Sequence, residues 1–215
     1  GPLVALIVLY ALFAMLVPDT FPTAGNVRTM VRQTTVVGIA ALGMTLVVIL
    51  GGIDLSVGST VALATVVIAY LLQAGAGPLP AALGGVLIAA LCGLFNGVLI
   101  TSLRVMPFIV TLGAMGIIRG AAKGLAHEQK IDAPVTWLNN LIAELPAGST
   151  WQILPAGVWL LVILALAVSA LLHYTRFGRH IFAVGSNEQT ARLCGINVPG
   201  VKIAVYVMSS ALAGV

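Results

Sequence analysis

The chain has 215 residues, 60% of them apolar and only 7% charged, with a formal net charge of +4 and a mean hydropathy of +1.13. A soluble domain carries about 25% charged residues, so a water-soluble globular fold is excluded. The apolar runs are continuous rather than alternating, which excludes a membrane β-barrel and points to an all-α integral membrane protein. No Lys/Arg run suggests a nucleic-acid partner, and the small positive excess suits loops facing anionic membrane lipid.

Charge-free stretches of about 17–25 residues are the unit of a helical span. Residues 2–17 form the first; no basic segment precedes them, so a transmembrane helix is expected there rather than a signal peptide. The second covers 33–50. The Gly- and Pro-rich stretch 73–80 then divides a long apolar run into spans at 59–72 and 81–101. A fifth, 107–122, carries Arg119 near its end and is followed by Lys123. The polar stretch 123–152, with Glu128, Asp132, Pro134, Glu144 and Pro146, is unsuited to lipid. A sixth span, 153–172, has Trp151 and Trp159 as interface anchors. Polar residues 174–202 lead to a seventh, 203–215. The chain begins without Met and stops inside an apolar run, so it reads as a piece of a longer polypeptide. Basic residues divide evenly between the two sides, and the positive-inside rule does not orient it.

From Gln33 to Leu103 the sole charged residue is Asp54, within Gly51-Gly52-Ile53-Asp54-Leu55-Ser56-Val57-Gly58-Ser59. A carboxylate near the bilayer middle costs roughly 2.5–3.5 kcal/mol and is seldom idle. Gly51, Gly52 and Gly58 loosen the helix, so a broken-helix motif is expected at 51–59. Two roles fit Asp54. It caps the start of the third span through backbone N–H groups, or it lies on a translocation pathway or gate. Ser56, Ser59 and Thr60 add hydroxyls suited to a neutral polar ligand. Asn96 is either interhelical glue or pathway lining.

Small residues recur every four positions as Gly85, Ala89, Gly93 and Gly97 in the fourth span and as Gly116, Gly120 and Gly124 in the fifth. Such stripes let helix backbones approach closely, and packing within one subunit is the plainer expectation than a dimer interface. Cys92, Cys194, His127, His173 and His180 have no metal-ligand spacing.

The polar segment after the sixth span holds Gly185-Ser186-Asn187-Glu188-Gln189-Thr190-Ala191-Arg192-Leu193-Cys194-Gly195. Ser186 with Gln189 fits a capping box, and Glu188 with Arg192 fits an i,i+4 ion pair. Gly195 suits a left-handed C-terminal cap, and Pro199 stops the helix from resuming. A two-turn helix outside the lipid is expected at 187–194. It is too short to stand alone, so either the membrane domain or a partner holds it.

At these residues the chain resembles bacterial ABC-transporter permeases of the ribose, arabinose, xylose and galactose group. The resemblance rests on 51–59, Asn96-Gly97, Pro107-Phe108-Ile109-Val110-Thr111-Leu112-Gly113, Phe177-Gly178-Arg179 and 184–198, in order along the whole chain. It implies a ten-span permease, about seven spans of which are present here, pairing with a second permease copy around a sugar pathway in the inner membrane. It also implies cytoplasmic ATPase subunits that bind ATP and Mg, and a periplasmic sugar-binding protein. Residues 186–195 then correspond to the coupling helix, which places 174–202 in the cytoplasm and 123–152 in the periplasm. Related permeases often carry Glu-Ala-Ala before the loop glycine, where this chain has Gln189-Thr190-Ala191.

The chain has no Gly-x-x-x-x-Gly-Lys-Ser/Thr loop, so nucleotide chemistry is expected in trans and the chain itself is not expected to be an enzyme. A proton-coupled secondary transporter using Asp54 would bring more intramembrane acids and an inverted repeat. A membrane enzyme would need a convergent acid, base or nucleophile set. A branched-chain amino-acid permease is the nearest alternative substrate class.

Overall fold

The computed structural model describes residues 1–141 and 155–215. Trp151, Glu144, Pro146 and the start of the sixth apolar run lie outside the described residues. Ten helices occur among those described: α1 (Pro2–Leu16), α2 (Ala24–Ile49), α3 (Val57–Gln73), α4 (Pro78–Leu103), α5 (Pro107–Leu125), α6 (Trp137–Asn140), α7 (Ala156–Tyr174), α8 (Arg176–Ser186), α9 (Glu188–Leu193) and α10 (Val198–Ala213).

The expectation of about seven spans from a ten-span protein is corrected. Among the described residues only α2, α4, α5 and α7 are both long and apolar enough to cross a membrane. Helices α1, α3 and α10 are apolar but have 15, 17 and 16 residues. At 1.5 Å per residue they reach about 22–26 Å, short of a hydrocarbon core about 30 Å thick. Apolar content overcounted spans because an apolar run need not be long enough to cross. A left-handed glycine, Gly51, closes α2, and another, Gly75, closes α3.

Boundaries moved for the same local reasons. Thr23 caps α2 by accepting from the Asn26 N–H, so the second run starts at Ala24 and includes Arg28 and Arg32. Pro78 opens α4 rather than marking a loop, because a first-turn residue needs no backbone N–H. The same reason makes Pro199 part of the first turn of α10 instead of a barrier to it.

Helix α10 is central and packs chiefly against α4, then against α2. Its residues Val198, Val201, Val205 and Tyr206 join Leu46, Val47, Ile100, Ile181 and Ala191 in one buried cluster. A second cluster, Leu63, Cys92, Ala114, Ile118 and Ala122, joins α3, α4 and α5. The α4 stripe lies on these contacts: a Cβ on Gly97 would stand 2.8 Å from the Ile203 Cα, and one on Gly93 would meet the Tyr206 carbonyl. Gly85 faces Ile68 of α3, and Ala89 is fully buried. The α5 stripe is different, since a Cβ on Gly116, Gly120 or Gly124 meets nothing within 4 Å. Most large side chains on the bundle's outer surface are apolar and exposed, as on any lipid-facing wall.

Candidate functional site

Two constellations draw on the residues singled out above. The first is the break between α2 and α3. Helix α2 ends in a Schellman motif: the Gly51 N–H donates to the Val48 carbonyl at 3.0 Å and the Gly52 N–H to the Val47 carbonyl at 2.9 Å. Gly51 sits at φ +84, where a side chain would be strained. The chain then turns inward through Ile53 and Asp54 before Ser56 takes the N-cap position of α3, without a side-chain capping bond.

Asp54 is 2% exposed, and Ser56 and Asn96 are fully buried. One carboxylate oxygen, Oδ1, accepts from the Ser56 N–H at 2.8 Å and from the Ser56 hydroxyl at 2.6 Å. Asn96 of α4 donates to that hydroxyl at 2.8 Å. The relay runs Asn96 to Ser56 to Asp54. Asp54 thus stands two residues ahead of the cap and binds the capping residue itself, not the first N–H groups within α3. The Ile53 carbonyl accepts from the Thr111 hydroxyl of α5 at 3.2 Å and from the Tyr206 hydroxyl of α10 at 3.5 Å. The broken segment is therefore fastened to α4, α5 and α10.

Asn96 lies seven residues, about 10 Å, from the end of α4 at Leu103. The carboxylate accordingly sits toward the end of the bundle closed by α8 and α9, not at its middle. Three buried polar atoms around it, Asp54 Oδ2, Ser59 Oγ and Asn96 Oδ1, have no hydrogen-bond partner among the described residues. Gly52 is buried here, while Gly51 and Gly58 face outward.

The second constellation is the α8–α9 corner. Helix α9 runs Glu188–Leu193, one residue shorter at each end than expected. Its cap is Asn187, whose side chain accepts from the Thr190 N–H at 2.9 Å. Ser186 belongs to α8, so the capping box with Gln189 does not form; the Asn187 N–H still completes α8 by donating to the Ala183 carbonyl. At the other end Gly195, at φ +79, closes the helix in a second Schellman turn.

Glu188 pairs with Arg192 at 2.7 Å, as its spacing suggests, and also with Lys202 of α10 at 2.7 Å. The Lys202 ammonium first, and the Arg192 guanidinium second, hold the Glu188 carboxyl below the usual glutamate range. Ala191 is buried against the core, whereas Gln189, Thr190, Arg192 and Leu193 face outward, Leu193 at 89% exposure. Helix α9 is tied down on one side and open on the other.

Sequence reasoning missed α8, Thr111, Tyr206 and Lys202. The signal for α8 was present: Thr175 as a cap, with Phe177, Ile181 and Val184 at helical spacing. The Glu188–Lys202 tie left no mark, because nothing local relates two residues 14 positions apart.

Fold and composition together define a multi-pass helical membrane protein, consistent with residence in an inner membrane. Residues 26–215 match the family described as "Branched-chain amino acid transport system / permease component", and the chain belongs to it. It is 38% identical over 211 residues to the ribose import permease protein RbsC of Escherichia coli (strain K12), covering 98% of this chain and 65% of that protein. It is 31% identical over 222 residues to the fructose import permease protein FrcC of Rhizobium meliloti, covering 99% of this chain and 61% of that protein. Against the autoinducer 2 import system permease protein LsrC of Yersinia pseudotuberculosis (serotype O:3, strain YPIII), identity is 34% over 220 residues, covering 99% and 60%. The chain thus spans a little under two thirds of the length of these curated relatives. No solved structure matches it.

Proposed function

We infer that this chain is the membrane-embedded part of a permease subunit in a binding-protein-dependent ABC importer, and that it forms the translocation pathway for a monosaccharide. One observation carries the reading. Helix α9 is a six-residue helix tied to one end of the bundle by the Glu188–Lys202 ion pair and the buried Ala191, yet it presents Leu193 and Arg192 outward. A helix this short is not stable alone, so a fixed, projecting one suits a docking element for another subunit.

On this reading the α8–α9 end faces the cytoplasm, where separate ATPase subunits bind ATP and Mg. The opposite end, including 123–141, faces the periplasm and a sugar-binding protein, and a second permease copy completes the pathway. Asp54, Ser56, Ser59 and Asn96 form the polar region beside that pathway. The sugar assignment is supported by the ribose and fructose import relatives. A proton-coupled carrier is disfavoured, because Asp54 stands alone as a buried carboxylate among the described residues.

The test is uptake of radiolabelled ribose and fructose by vesicles holding the full-length permease with its ATPase and binding protein. Uptake that requires ATP and both partners supports the assignment. Uptake that persists without the ATPase and follows a proton gradient overturns it.

A further inference from the structure

Beside the α9 clamp lies a cavity of about 410 Å³ between the end of α4, the start of α5 and the start of α10. Thr101, Arg104, Met106, Glu188, Arg192 and Lys202 are among its lining residues. Three cations face one carboxylate there, for a net charge of +2. Glu188 is already taken up by Arg192 and Lys202. Arg104 has no ion pair among the described residues, and the notch is left with an unspent cation at its mouth.

The surroundings of the notch are apolar and open. Leu103 is 61% exposed, Met106 70% and Ile109 57%. They belong to, or directly join, two of the four helices able to cross a membrane. A wall suited to acyl chains therefore runs directly into a basic recess where two of the candidate spans end, the arrangement by which basic pockets between spans take anionic headgroups. An acidic protein segment would match the charge but not the adjoining apolar wall.

We propose that this notch seats the phosphate of an anionic phospholipid, with Arg104 meeting the headgroup and the acyl chains lying along Leu103, Met106 and Ile109. The lipid phosphate, with its single negative charge, would offset part of the residual charge next to α9 and brace the α4–α5 corner against it. The site depends on membrane residence, not on the transported substrate.

The experiment uses full-length protein in nanodiscs containing equal phosphatidylglycerol and phosphatidylethanolamine. The ratio of the two lipids retained after transfer to detergent is read by native mass spectrometry. Wild type should enrich phosphatidylglycerol, and Arg104→Gln should lower that ratio about fivefold, the worth of one cation near a membrane surface. Arg104→Lys should restore most of it, and Arg176→Gln, on exposed α8 surface away from the notch, should leave it unchanged. Three results would overturn the proposal: an unchanged ratio in Arg104→Gln, displacement of the lipid by inorganic phosphate, or an effect of Arg104→Gln on ATPase association alone. The second would make this a free-anion site and the third a protein contact.

Discussion

Asp54 carries its weight through a single oxygen. Oδ1 holds both the backbone and the hydroxyl of Ser56, and Asn96 holds that hydroxyl from α4. Removing the carboxylate leaves buried donors without a partner, at about 1–3 kcal/mol for each group. Asp54→Ala should therefore destabilise the protein by about 2–4 kcal/mol, while Asp54→Asn keeps the Oδ1 acceptor and should lose much less. Thermal unfolding in detergent checks the order wild type, Asp54→Asn, Asp54→Ala; equal losses in the two variants would contradict it. This residue was legible in the sequence because it is one charge in a long apolar run. Ser56 and Asn96 were singled out as well, but not the bond between them, since they lie 40 positions apart, and Tyr206 meets the Ile53 carbonyl across 153. Spacing says nothing about contacts made by folding.

Helix α8 presses directly on the end of α2 at Gly185, where a Cβ would collide with the Ile49 carbonyl. Gly185→Ala must push α8 away, and overpacking of this kind costs about 1–3 kcal/mol. The expected readout is a lowered unfolding temperature, together with faster hydrogen exchange in α8 and α9; unchanged exchange there would show that the contact is not tight. Helix α9 adds a pH dependence. The Glu188 carboxyl is lowered by Lys202 and Arg192, so its contribution is fully present above the ordinary glutamate value of about 4.5 and is lost as pH falls through the depressed value. Hydrogen exchange at α9 should thus be flat from pH 7 to 5 and accelerate, beyond its intrinsic trend, only in stronger acid. In Glu188→Gln the protection should already be reduced at pH 7, with no further acid transition. The i,i+4 pair with Arg192 was legible because helix geometry is local. The cap was misplaced by one residue because Ser186 and Asn187 both suit that role, and packing of α8 decided between them.

At the scale of the molecule, composition settled the class and overcounted the spans. Hydropathy measures how apolar a run is, but not whether its helix is long enough to cross, and that difference separates seven apolar runs from four long helices among the described residues. Packing of the α4 stripe against α10, with the α5 stripe left open, was equally beyond a pattern that looks the same in both. Orientation, undecided by charge, has a direct probe in the chain's own cysteines. Cys194 is exposed beside α9 and Cys92 is buried. A membrane-impermeant maleimide should label Cys194 in inside-out vesicles and not in right-side-out ones; the reverse pattern would turn the proposed topology over.

The central claim is that α9 docks an ATPase, and Leu193 tests it most directly. At 89% exposure it can be changed to Asp without disturbing the core. Co-purification of the ATPase with wild-type and Leu193→Asp full-length permease, both checked for unchanged thermal stability, is the measurement. The account predicts that Leu193→Asp loses most of the bound ATPase, and with it ATP-dependent uptake. Undiminished association would mean that α9 is a surface helix with no coupling role.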